Sequence, residues 1–149
     1  MSPTNGKPPF DFGGTFDVTL LADHRLRLPV GVTNQLRAAG IASLRLTILP
    51  GHPALVVCPE SAWPAWRTKV KATFNDLAPA EAERATEIFT RPIHLDPTHR
   101  FYLPGQFREY ARIQHRDDLR IIGIDDHFEI WRLDDTEDWS PNIEPNIKG

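Results

Sequence analysis

An internal repeat limits the architectures open to this chain. The segment Arg25-Leu26-Arg27-Leu28-Pro29 returns as Arg100-Phe101-Tyr102-Leu103-Pro104, and at the same offset of 75 residues Leu44-Arg45-Leu46 returns as Leu119-Arg120-Ile121. Self-similarity at fixed spacing marks duplicated structural units that bury their apolar faces against each other. A chain of 149 residues has room for two small units and enough apolar surface to fold without a metal or disulfides. The lone cysteine, Cys58, lies in the apolar run Leu55-Val56-Val57-Cys58, where a free thiol behaves as a small buried hydrophobe.

Each unit shows the same order of elements. Phe16-Asp17-Val18-Thr19-Leu20 and Leu44-Arg45-Leu46-Thr47-Ile48 alternate apolar and polar residues, the period of a half-buried strand. Between them Val30 to Ala39 reads as a helix, with Val32 and Leu36 on one face and Gly40 at the left-handed position that ends it. In the second unit, strands are expected at Ile93-His94-Leu95, Arg100 to Leu103, Leu119 to Ile124 and Phe128 to Arg132. A helix is expected from about Gly105 to Ala111 and a hairpin turn at Asp125-Asp126-His127. The expected class is therefore α+β, with units at 12–59 and 92–139.

Residues 60–91 have another character and are expected to form a connecting pair of helices. Trp63, Trp66, Val70 and Phe74 make one apolar stripe at helical spacing, and Ala85, Ile88 and Phe89 make a second after Pro79. The tryptophans are expected to pack across the two units. Residues 1–11 and 140–149, rich in Pro, Asn, Ser and Gly without periodicity, are expected to be mobile.

The net charge of −3 is unevenly spread: residues 1–120 carry 15 basic and 12 acidic side chains, whereas residues 121–149 carry 2 and 8. Phosphate contacts dominate DNA affinity, so the overall charge excludes a simple polybasic binder. A local basic patch survives, because screening limits the reach of the acidic end to about 8 Å. No apolar leader and no run of about 18 apolar residues signals export or membrane insertion, and the cytoplasm is the expected compartment.

Both units place an arginine directly after a tight turn and at the start of an alternating strand that ends in Leu-Pro. In Asp96-Pro97-Thr98-His99-Arg100, Asp and Pro occupy the first two positions of a type I turn, which sets the Asp96 carboxylate beside the Arg100 guanidinium to aim it. Alternation places Leu26, Leu28, Phe101 and Leu103 on one face and Arg25, Arg27, Arg100 and Tyr102 on the other. The exposed face of each unit is thus expected to be cationic. Arg108, Arg112 and Arg116, four residues apart, read as a solvated face.

These paired motifs, Arg-Leu-x-Leu-Pro and its counterpart after a turn, resemble the two D-x-x-x-R motifs of the MraZ family. Phe12-Gly13-Gly14-Thr15-Phe16 is similar to that family's opening strand, and Phe107-Arg108-Glu109-Tyr110-Ala111 to its second-unit helix. Ile122-Gly123-Ile124 followed by Phe128-Glu129-Ile130-Trp131 is similar to its closing hairpin, so the likeness runs from about Phe12 to Trp139. The resemblance implies two SpoVT-AbrB-like units, a homo-oligomeric ring, and nucleoid-associated regulation of transcription at the promoter of division and cell-wall genes through double-stranded DNA. Arg25, Arg27 and Arg100, with His24 and His99, would contact DNA, and Asp96 and Asp23 would orient the arginines. The chain departs from the family at Leu21, where the first motif's aspartate would fall, and at His24 and His99, which replace the glycine before each arginine and make both turns bulkier. A rival reading is a ring-forming structural protein that has lost specific DNA binding.

Other chemistries find little support. His94 and His99 flank a turn with Asp96, yet neither a helical His pair nor a Cys pair accompanies them. The chain has no nucleophile elbow and no Gly-rich phosphate loop. No enzyme activity, cofactor, metal or small-molecule substrate is expected.

Overall fold

In the computed structural model, which describes residues 10–137, each half of the chain runs strand, turn, strand, helix, strand, turn, strand. The first half supplies β1 (Thr15–Thr19), β2 (Arg25–Arg27), α1 (Val30–Ala38), β3 (Leu44–Ile48) and β4 (Leu55–Pro59). The second supplies β5 (Thr90–Ile93), β6 (Arg100–Tyr102), α4 (Gly105–Ala111), β7 (Asp118–Ile124) and β8 (His127–Arg132). Helices α2 (Trp63–Ala72) and α3 (Pro79–Ile88) lie between them, and a single turn, α5 (Leu133–Glu137), follows β8. The architecture is α+β with pseudo-repeated units. Of the termini expected to be mobile, 1–9 and 140–149 lie outside the described residues, whereas Phe10 stacks on Phe12 with ring centroids 5.7 Å apart.

The halves exchange strands. The six-stranded antiparallel sheet has the order β1-β7-β8-β4-β3-β5, so β1 pairs with a strand of the second half and β5 with a strand of the first. A separate ribbon joins β2 to β6. Both arrangements are symmetric about one pseudo-two-fold axis, which passes between Val56 and Glu129 in the sheet and between Leu26 and Phe101 in the ribbon. Neither half can therefore complete its sheet alone. Strand β5 carries Pro92, which lacks a donor and is tolerated because β5 lies at the sheet edge.

Period-2 alternation gives the sheet two apolar faces. Leu46, Leu55, Val57, Leu119, Ile121, Phe128 and Ile130 point to one side, where Leu26, Leu28, Phe101 and Leu103 of the ribbon and Val32, Leu36 and Phe107 of α1 and α4 complete the main core. Val56 and Cys58 point to the other side, under Trp66 of α2. Trp66 also meets the ring of His127 edge-on at 4.6 Å, so this tryptophan does pack across the two halves. The second stripe differs from expectation: Ile88 is 52% exposed, and α3 instead buries Ala82 and Thr86. Helix α3 is held to α2 by Glu83, which receives Arg67 and Lys71.

Backbone chemistry explains the element ends. Pro29 and Pro104, both extended, stand at the N-caps of α1 and α4, so the repeated Leu-Pro ends a strand and opens a helix. Helix α1 closes with Gly40 at φ 71°, its N–H donating to Arg37 O while the Ile41 N–H donates to Leu36 O, the paired bonds of a Schellman motif. The expected strand at Ile93-His94-Leu95 starts earlier, at Thr90, and His94 and Leu95 fall outside it.

The Phe12-Gly13-Gly14 segment lies against the end of β7, the Gly123 N–H donating to Gly14 O and the Phe12 N–H to Asp125 O, both at 2.8 Å. A Cβ on Gly123 would stand 2.6 Å from Gly13 O and 2.7 Å from Gly13 N, whereas one on Gly13 meets nothing within 4 Å. The clash is with backbone, which cannot swing aside. Gly123→Ala is accordingly expected to lower unfolding free energy by roughly 2 kcal/mol, and Gly13→Ala by less than about 0.5 kcal/mol, in denaturant titrations.

Candidate nucleic-acid interface

The ribbon is short, and burial rather than pairing holds it. Strands β2 and β6 pair Arg25 with Tyr102, Leu26 with Phe101 and Arg27 with Arg100. Leu26 is wholly buried and Phe101 is 4% exposed, with Leu28 and Leu103 beside them in the core. Two further bonds cross between the halves: the Leu28 N–H donates to His99 O and the Leu103 N–H to His24 O, each at 2.9 Å. With the apolar residues anchored, alternation leaves Arg25, Arg27, Arg100 and Tyr102 on the outward side.

The two turns that precede the strands have one shape. In the first, the His24 N–H donates to Leu21 O and the Leu21 N–H to Arg25 O; in the second, His99 N–H donates to Asp96 O and Asp96 N–H to Arg100 O, all at 2.9 Å. Each is a three-residue-type hairpin connection whose last position must be left-handed. His24 and His99 occupy that position at φ 66° and 64°. The histidines therefore hold the left-handed backbone that a glycine would adopt without strain, with a bulkier side chain on each turn.

Asp96 organises the cationic side chains. Its Oδ1 accepts the backbone N–H of Arg100, the Thr98 N–H and the Thr98 hydroxyl, each at 2.9 Å, and Arg100 Nε donates to Oδ2 at 2.9 Å. The same Oδ2 lies 3.6 Å from Arg25 Nη1. Arg25 thus takes its second-turn partner from the other half of the chain, across the ribbon. Asp23 also contributes: its Oδ1 accepts the Arg25 backbone N–H at 3.1 Å, and its Oδ2 lies 3.7 Å from Arg25 Nε. Leu21, at the position equivalent to Asp96, supplies no carboxylate; the carboxylates that reach Arg25 are those of Asp23 and Asp96.

Hydrogen bonding from the Arg100 backbone N–H and from Thr98, against a smaller opposing effect of burial, holds the Asp96 carboxyl well below the ordinary carboxylate range. It is ionised throughout the neutral range. Exposed ion pairs contribute little stability, so its main effect is geometric. Using Arg100 Nε for the pair leaves the terminal nitrogens of that guanidinium available to a ligand.

The structure adds Arg108 to this surface. From α4 its Nε donates to Leu103 O at 2.8 Å, and its guanidinium carbon lies 5.9 Å from the centre of the Tyr102 ring. The helical spacing of Arg108, Arg112 and Arg116 points to a solvated face, but α4 starts immediately after β6 and folds Arg108 back over the strand. Arg112 instead pairs with Asp135 at 3.4 Å. Arg27 is exposed and makes no ion pair among the described residues. His24 faces His115 at 5.7 Å; desolvation, with Arg108 and His115 nearby and Asp23 opposing, holds its pKa below the ordinary imidazole value. His99 is exposed on the adjoining turn. The four arginines outnumber Asp23 and Asp96, so the outward face of the ribbon is net cationic.

Among known proteins, the chain is similar to regulators named Transcriptional regulator MraZ. One from Phocaeicola vulgatus is 31% identical over 126 residues, covering 80% of this chain and 78% of the relative. One from Methylibium petroleiphilum is 32% identical over 125 residues, covering 80% and 79%. The chain belongs to the MraZ family. A Saccharophagus degradans MraZ, 28% identical over 122 residues, covers 80% of this chain and 81% of its own length. No protein-family model matches the chain. MraZ relatives are named as regulators of transcription rather than as enzymes.

Two outcomes follow from the turn and ribbon geometry. Because the folded pKa of Asp96 lies below its unfolded value, its stabilisation is complete above about pH 4 and is lost as pH falls from there toward the folded pKa. Asp96→Asn should be less stable than the parent at pH 7, and urea titrations at pH 3 should show that gap narrowed. At His99, a left-handed backbone is costly to β-branched residues. His99→Val should therefore lose about 1 kcal/mol or more relative to His99→Gly in the same titrations.

Proposed function

We propose that this MraZ protein binds double-stranded DNA through the β2–β6 ribbon and regulates transcription from promoter DNA as a homo-oligomeric ring. Arg25, Arg27 and Arg100 are the principal contacts, Asp96 and Asp23 orient them, and His24 and His99 border the same surface. Arg108 extends it along α4. The observation that carries this reading is the single carboxylate of Asp96 reached by arginines from both halves, which sets two guanidinium groups on one outward face. The units are read as SpoVT-AbrB-like, spanning 12–59 and 92–139 and joined by 60–91.

Four arginines partly offset by two aspartates neutralise few phosphates, so one subunit alone would bind weakly. A ring repeats the ribbon along the duplex, and linked sites raise avidity by roughly 10²- to 10⁴-fold. The Arg100 guanidinium, whose terminal nitrogens stay clear of its Asp96 partner, suits the edge of guanine in the major groove, a contact worth about 1–3 kcal/mol of discrimination. The target in this reading is the promoter of division and cell-wall genes, and the protein acts in the cytoplasm at the nucleoid. His24, held in its neutral form near pH 7 by its surroundings, adds charge to the surface only in more acidic solution.

Gel-shift titrations with the DNA upstream of the protein's own gene, run across salt concentrations, test the proposal. The parent should give a steep negative slope of log K against log[salt]. Arg25→Ala, Arg27→Ala or Arg100→Ala should each weaken binding and flatten the slope by about 1. A parent that binds no DNA at moderate salt, or variants that bind as well as the parent, would favour the structural ring protein instead.

A further inference from the structure

The outward face of the ribbon departs from its own repeat at one position. The offset of 75 residues that carries Arg25 onto Arg100 carries Arg27 onto Tyr102. Cross-strand pairing sets Arg27 beside Arg100 and Arg25 beside Tyr102, so the two ends of the ribbon differ. One presents a pair of guanidinium groups, the other a guanidinium group and a phenol. Tyr102 is 53% exposed, while its neighbours Phe101 and Leu103 are buried in the core.

The phenol is braced in place. Arg108 Nη2 donates to the Tyr102 hydroxyl at 3.3 Å, and the Arg108 guanidinium carbon lies 5.9 Å from the ring centre. Arg108 is itself fixed, its Nε donating to Leu103 O at 2.8 Å. In the first half the position equivalent to Arg108 belongs to Thr33, whose hydroxyl donates to Val30 O within its own helix. The brace and the phenol it supports thus occur together, in the second half. With its hydroxyl engaged by Arg108, what Tyr102 offers outward is chiefly the apolar ring.

The major groove of double-stranded DNA admits a two-stranded β-ribbon, and the apolar group that base edges present there is the C5-methyl of thymine. Guanidinium groups suit the polar edge of guanine and the phosphates, but gain nothing from that methyl. Taking the DNA-binding reading above as its basis, we propose that Tyr102 packs its ring on the C5-methyl group of thymine and selects a T·A pair at the Arg25 end of the ribbon. Arg108 is a positioning residue for this contact: a ring ordered before DNA arrives loses less side-chain freedom on binding.

Gel shifts at a single salt concentration test the contact, using the full-length protein and two versions of the DNA upstream of its gene. One duplex has natural composition; the other carries deoxyuridine in place of thymidine, which pairs in the same way and lacks only the methyl. The parent should bind the uracil duplex more weakly by about fourfold or more, the effect of roughly one methyl group left unburied. Tyr102→Phe, which keeps the ring, should retain the preference for thymine, whereas Tyr102→Ala should bind both duplexes alike. A parent that binds the two duplexes equally, or a Tyr102→Ala variant that still prefers thymine, would overturn the proposal and leave DNA binding itself intact. Tyr102→Phe and Tyr102→Ala weakened by the same factor on both duplexes would make Tyr102 a phosphate contact through its hydroxyl, which also overturns it. A parent that binds neither duplex would contradict the DNA-binding reading on which the proposal rests.

Discussion

Backbone pairing between Arg25–Arg27 and Arg100–Tyr102 is the contact on which the remaining arrangement depends. Three residues on each side are too few to persist as an isolated ribbon. The pairing survives because Leu26, Leu28, Phe101 and Leu103 are buried beneath it, each side chain contributing about 1.5–3 kcal/mol relative to exposure. Those four apolar anchors fix the register, and the register fixes the arginines. A slip of one residue would turn Leu26 and Phe101 outward and bury Arg25 against the apolar core.

Strand exchange makes the two repeats one folding unit. With β1 paired to β7 and β5 to β3, separation of the halves would expose both sheet edges and the floor of the main core. The same exchange places the two turns side by side, and this proximity lets Asp96 serve both Arg25 and Arg100. Arg25 therefore meets a carboxylate of the other half although Leu21 stands at the first-turn position equivalent to Asp96.

Local features of this design are legible in the sequence because they rest on local chemistry. Gly40 terminates α1 through its own left-handed backbone, Leu-Pro separates strand from helix, and the Asp96-Arg100 pair follows from a turn only five residues long. Features settled by distant partners are not. The start of β5 at Thr90 is set by pairing with β3, which carries the strand through Arg91 and Pro92 where propensity argues against it. Ile88 has the spacing of a core residue, yet α3 docks through Ala82 and Thr86 and turns it to solvent. Arg108 looks like one member of a solvated row, and only the fold of α4 over β6 places it beside Tyr102. The sharing of Asp96 required knowing that β2 and β6 are neighbours.

Membership of the MraZ family supports a regulator of transcription, and the proposed DNA-binding face is the net cationic ribbon. The most direct measurement is a structure, by electron cryomicroscopy, of the assembled protein on the DNA upstream of its gene. The β2–β6 ribbons of successive subunits should face one duplex, with the Arg25 and Arg100 guanidinium groups within hydrogen-bonding distance of bases or phosphates. Duplex seated on any other face, with the ribbons in solvent or buried between subunits, would contradict it.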